Sequence, residues 1–157
     1  MNLIDRENQL KGNLLYVRQC YKDIINLPIW DQENIFFTGT PGIGKTVFRN
    51  YVIGAQIQKL KAEKGDGIFV LGKSPRGYSP TYVMQMVKGS IVVDSIKVCG
   101  VYISLGEYLD RLNPNRSIRG YYHYDISEGY IRDTLSTENS VCCYYTSPNE
   151  EAWKKKK

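Results

Sequence analysis

Residues 36 to 48 read FFTGTPGIGKTVF, and no other stretch restricts the fold of this 157-residue chain as much. Gly39 to Thr46 is a full match to the phosphate-loop pattern G-x-x-x-x-G-K-[ST]. From average residue usage, a chance match in a chain of this length is on the order of one in a hundred. The glycines permit backbone conformations that turn successive N–H groups inward, and the first turn of the following helix completes a cradle for a β-phosphate. The motif needs a strand before it and a helix after it, and both are readable. NIFF, 34 to 37, is a short, largely apolar run, as expected of a parallel strand covered on both faces. After the glycines, Val47, Phe48, Tyr51, Val52 and Ala55 form a helical stripe, and Lys59, Lys61 and Lys64 gather where a helix C-terminus favours positive charge. Gly65 in KGDG is a natural left-handed cap.

The remainder reads as alternating strands and helices. Before the loop, Leu14, Val17, Tyr21, Ile24, Ile25 and Leu27 recur at three- and four-residue steps, which predicts a helix ended by Pro28. GIFVLG, 67 to 72, is a strand; KSPRGYSP, 73 to 80, is a loop; TYVMQMV and SIVVDSI, joined by Lys88 and Gly89, are a β-hairpin. KVCGVYI is a further segment. Ser104 and Glu107 then form a capping box that opens a short helix over SLGEYLDRL. GYYHYDI, 120 to 126, and SVCCYYT, 140 to 146, are two more strands. Ser147, Pro148, Asn149 and Glu150 have the pattern of a helix start, so the domain is expected to be incomplete at its C-terminal side. The order implies an α/β fold of the P-loop NTPase type: a mostly parallel sheet with flanking helices and a β-hairpin insert. It divides into a helical preface, residues 1–33, and a P-loop core, residues 34–157.

Composition narrows the setting. Apolar content is 42% and charged content 24%, ordinary for a globular protein, and no apolar run approaches the length of a membrane span. Asp5, Arg6 and Glu7 stand where a secretory signal needs apolar residues, so an intracellular location without a signal peptide is expected. The net charge is +5, but the terminal KKKK supplies four of those charges. A solvated end is the ordinary reading of such a run, and a nucleic-acid or nuclear address the functional one. Cys20, Cys99, Cys142 and Cys143 form no C-x-x-C pair, and His123 has no second histidine to join it, which argues against zinc. Cys142 and Cys143 are adjacent in a strand and should face opposite sides, as buried thiols.

The candidate site follows from the chemistry of phosphate binding. The cradle comprises Gly39, Thr40, Pro41, Gly42, Ile43, Gly44, Lys45 and Thr46. Lys45 supplies a positive charge to the β- and γ-phosphates, and the Thr46 hydroxyl is a ligand for Mg²⁺. The second metal anchor should be a carboxylate at the end of a neighbouring strand: Asp125, closing GYYHYD, is preferred to Asp94, closing SIVVD, because the hairpin would hold Asp94 outside the central parallel strands. Hydrolysis also needs a group that orients water. Ile126, not a glutamate, follows Asp125, and Glu128 reaches the γ-phosphate region only if its loop curls back; otherwise it is a solvated loop residue. Lys45, Asp125 and Glu128 are thus the candidate catalytic set. Thr146 or Ser147 could sense the γ-phosphate or cap the next helix, and His123 is expected to pack in its strand or bond locally.

Four segments in order, YVRQCYKDI, FFTGTPGIGKTVF, YYHYDI and YYTSPNEEAWK, resemble the P-loop NTPase module of crinkler-type effectors and retrotransposon-hot-spot proteins. The resemblance covers about residues 14 to 154, with Arg18 and Tyr21 as its leading pair. It implies an AAA-like ATPase module with Lys45 and Thr46 in the loop, Asp125 at the metal, and Thr146 and Ser147 in the sensor position. It further implies ATP and Mg²⁺ as ligands, and a nuclear setting with nucleic-acid or nuclear-protein partners reached through attached domains. An arginine that senses nucleotide, in some relatives across a subunit boundary, makes a homo-oligomer part of the expectation; Arg119 and Arg132 are near in sequence, without an assigned role. Three functions are carried forward: Mg-ATP hydrolysis, nucleotide or protein binding with little hydrolysis, and, disfavoured for want of an acceptor motif or an arginine-rich lid, phosphoryl transfer to a small acceptor. ATP rather than GTP is the default, since no guanine-reading motif is evident.

Overall fold

The computed structural model describes residues 17–40, 42–72, 81–98, 105–126 and 139–146. In chain order its elements are α1 (Gln19–Ile25), β1 (Asn34–Thr38), α2 (Lys45–Glu63), β2 (Gly67–Gly72), β3 (Thr81–Val87), β4 (Ser90–Val98), α3 (Leu105–Leu112), β5 (Gly120–Ile126) and β6 (Ser140–Thr146). The strands make one sheet in the order β1-β6-β5-β2-β3-β4. β1, β6, β5 and β2 are mutually parallel, and β3 and β4 continue the sheet antiparallel from β2. Parallel neighbours cannot be joined by a tight turn, and α2 supplies the crossover that returns the chain from β1 to β2. The fold is therefore α/β with a mostly parallel, mixed sheet.

Alternation along the strands sends residues to two separate cores. Val141, Cys143 and Tyr145 of β6 pack with Tyr21 of α1 and with Phe48 and Val52 of α2. Cys142 and Tyr144 point the other way, into a core shared with Tyr122, Tyr124 and Leu109 of α3. The two adjacent cysteines thus lie on opposite faces, as their alternation predicts. Burial pushes the Cys142 thiol up to about 11 and the Cys143 thiol up to about 12, so both stay protonated at neutral pH. A third cluster, Ile53 and Leu60 of α2 on Phe69 and Met86, extends the α2 face over β2 and β3.

The hairpin has the turn its sequence requires. Lys88 (φ 49°) and Gly89 (φ 73°) both lie in the left-handed region, as a two-residue primed turn demands. Lys88 N–H donates to Asp66 Oδ1 at 2.7 Å, and Gly89 N–H to Gly65 O at 2.8 Å, which docks the turn on the end of α2.

Four expectations change. The first helix covers 19–25 rather than 14–27, with residues up to 16 outside the described ones. The helix cap lies one residue earlier than Gly65: Lys64 takes the left-handed conformation (φ 52°) and Gly65 N–H closes back on Leu60 O at 2.8 Å. β1 is not covered on both faces. Among the described residues it ends the sheet and pairs only with β6, with Phe36 43% exposed and stacked at 4.9 Å on Tyr144, while α3 packs over β5 and β2. β4 runs on through Lys97 and Val98, so KVCGVYI does not begin a separate element; its remainder lies outside the described residues. The hairpin, as expected, lies outside the parallel strands, as the antiparallel edge of the same sheet. Ser104, the expected cap of α3, and the expected helix start at 147–150 are also outside the described residues.

Candidate functional site

The loop leaves the C-terminal end of β1 and enters α2 at Lys45. Gly42 (φ 83°) and Gly44 (φ 92°) hold the left-handed conformations that only glycine adopts cheaply. Phe48 N–H donates to Gly44 O at 2.9 Å, so helical bonding begins inside the motif and the first-turn N–H groups face the loop's interior. Lys45 Nζ spans the loop mouth, donating to Gly39 O at 2.7 Å and Thr40 O at 3.0 Å. An ammonium has three donors, and these two carbonyls take two of them. Pro41 lies outside the described residues.

Strand order decides which carboxylate meets this loop. β5 is two strands from β1, about 10 Å. That brings Asp125 to α2, where its Oδ2 accepts the Thr46 hydroxyl at 3.0 Å. β4, which carries Asp94, is the far edge of the sheet, five spacings or about 24 Å from β1. β6 lies between β1 and β5 and pairs Thr146 with both Thr38 and Ile126, at the same end of the sheet as the loop. Glu128, Ser147 and Arg132 are outside the described residues. Arg119 precedes β5 at the opposite end, six residues or about 20 Å from Asp125 along an extended strand. There it donates to Trp30 O at 2.7 Å and faces Asp31 at 3.6 Å, tying the α1–β1 connection to the sheet.

Three residues not foreseen in their roles complete the surroundings. Arg18 donates to Ile43 O at 3.1 Å and the Tyr21 hydroxyl to Gly44 O at 3.3 Å, so the segment before β1 grips the outside of the loop by its carbonyls. Arg49, one turn beyond Thr46, reaches Asp125 Oδ2 at 3.5 Å. Its signal in the sequence is a lone arginine inside the apolar stripe of α2, four residues after Lys45 and so on the same face. Tyr21→Phe keeps the ring against Phe48 and deletes only the tie; it is expected to cost about 1 kcal/mol in urea unfolding, with an unchanged slope.

His123 is fully buried in β5, and its bonds are not local. Nε2–H donates to Gln56 Oε1 at 2.9 Å, which leaves Nδ1 to accept the Tyr145 hydroxyl at 3.1 Å. Burial, helped by the Arg49 charge, pushes the imidazole down to about 3, so it is neutral. It braces α2 against β5 and β6.

Among the described residues no three of His, Cys, Asp and Glu cluster to hold a metal. A Mg²⁺ site of the phosphate-loop kind does not need such a cluster, because it combines one hydroxyl and one carboxylate with phosphate and water oxygens. The touching pair of Thr46 and Asp125 beside Lys45 fits that donor set. Two cavities lie away from this site: about 360 Å³ beside Trp30, Lys59 and Arg119, and about 150 Å³ beneath α3 next to Tyr122. Among the described residues no helix is long and apolar enough to cross a membrane. No protein-family model, no curated protein and no solved structure matches the chain.

Proposed function

We infer that this chain is an ATP-binding P-loop NTPase module that hydrolyses Mg-ATP, of the crinkler-type family that it resembles. The observation that carries the reading is the 3.0 Å contact between Thr46 Oγ1, in the loop motif, and Asp125 Oδ2, 79 residues away, beside Lys45. A hydroxyl and a carboxylate brought together at the end of a glycine-rich loop that carries a lysine are the groups a Mg²⁺-triphosphate would need. When bound, Mg²⁺ supplies charge neutralisation to the β- and γ-phosphate oxygens, and Thr46 and Asp125 are the residues that would hold it.

The chain's own groups do the rest. Backbone N–H groups of the loop and of the first turn of α2 take the phosphate oxygens. Lys45 offsets negative charge on the β- and γ-phosphates. Thr146, on the strand between the loop strand and the Asp125 strand, is the candidate sensor that the resemblance implies. Arg18 and Tyr21, the leading pair of that resemblance, both bond to the loop, which gives them a reason to accompany it. Glu128 is the candidate for orienting water.

Single-turnover phosphate release decides between hydrolysis and binding alone. The intact chain with Mg-ATP is expected to release phosphate, and the Lys45→Ala chain is not. Saturable ATP binding with no release above the Lys45→Ala level would reassign the protein as a binding module.

A further inference from the structure

The Asp125 carboxylate has a cation against it that the phosphate-loop motif does not call for. Arg49 Nη1 lies 3.5 Å from Oδ2, the same oxygen that accepts the Thr46 hydroxyl at 3.0 Å. Both charged side chains are sheltered, Arg49 at 18% exposure and Asp125 at 27%. The Arg49 Nε–H is buried with no acceptor, so this guanidinium is held where it is incompletely satisfied. Its charge is felt by the interior, since it helps to depress His123. A half-buried arginine with an unmatched donor is costly as a purely structural element. The cost makes sense beside a phosphate cradle, because an uncompensated carboxylate there would repel a triphosphate through a partly desolvated medium.

Resting on the nucleotide reading above, we propose that Arg49 is the internal counter-charge of Asp125, a positioning residue that lets the cradle accept a triphosphate before divalent metal arrives. With metal present, Asp125 has another counter-charge and Arg49 matters little. Without metal, Arg49 is what keeps the carboxylate from opposing the ligand. The site is thereby open to metal-free as well as metal-bound nucleotide.

The test is ATP affinity, by calorimetry, in EDTA and in excess Mg²⁺. Arg49→Met is expected to lose about tenfold in EDTA and less than about threefold in Mg²⁺, the gap reflecting one uncompensated charge. Arg49→Lys should keep both wild-type affinities. In the Asp125→Asn background, where no charge needs compensation, Arg49→Met should have no further effect in EDTA. Equal losses in EDTA and Mg²⁺, or a full Arg49→Met loss in the Asp125→Asn background, would reduce Arg49 to a structural role and overturn the proposal. A wild-type chain that binds no ATP in either condition overturns the nucleotide reading and this inference with it; a wild type that binds, with variants that track it, overturns only the inference.

Discussion

Lys45→Ala is expected to weaken ATP binding by about a hundredfold, close to the upper range for a charge-assisted hydrogen bond. Lys45 Nζ is held over the loop by Gly39 O and Thr40 O, and its aliphatic stem stands at the first position of α2. Removing it deletes the ammonium proposed to meet the phosphates and also the brace that links the two carbonyls across the mouth. Neither bond reaches the core, so the fold should survive: thermal unfolding is expected to move by only a few degrees, the scale of about 1 kcal/mol in a domain of this size. The loss of affinity and the preserved transition are both part of the expectation. A Lys45→Ala chain that binds ATP within about threefold of wild type would place the phosphates away from Lys45, since no charge-assisted bond would then have been lost.

The second large effect is acid sensitivity, and it belongs to a single residue. His123 is the chain's only histidine. Folded, it titrates at about 3 against an ordinary 6.5, chiefly because burial penalises the imidazolium and secondarily because Arg49 repels it. Between those values the unfolded chain binds a proton that the folded chain refuses, so stability falls as pH drops below about 6.5. At pH 5 the loss amounts to about 2 kcal/mol, before most carboxylates begin to titrate. Urea unfolding at pH 7.5, 6 and 5 reads it directly. His123→Gln should be less stable at pH 7.5, because Gln56 and the Tyr145 hydroxyl lose their partner, but its stability should change little down to pH 5. Parallel pH profiles for the two chains would mean that His123 is protonated in the folded state.

The buried histidine and the candidate site share one network. The same Arg49 that faces Asp125 also lowers His123, and His123 joins Gln56 on α2 to Tyr145 on β6, whose register partner is Asp125. The loop helix, the Asp125 strand and the Thr146 strand are therefore cross-braced by polar contacts immediately behind the candidate site.

What could be read from the residues alone was the local part. The glycine spacing of 39 to 46 marked a strand–loop–helix unit, Lys88-Gly89 marked a hairpin, and the strands at 67–72, 120–126 and 140–146 have the bounds that their apolar runs indicated. These features depend on backbone preferences and on periodicities of two and about four residues, interactions confined to neighbours along the chain. The pairing of strands is a different kind of information. It placed β6 between β1 and β5, sent β4 to the far edge, left Phe36 of β1 exposed, and so made Asp125 rather than Asp94 the neighbour of Thr46. The partners of Arg49, His123, Arg18 and Tyr21 are likewise 76, 67, 25 and 23 residues distant. Such contacts are selected by how whole faces pack, and a polar side chain carries no local mark of the group it will meet once they do.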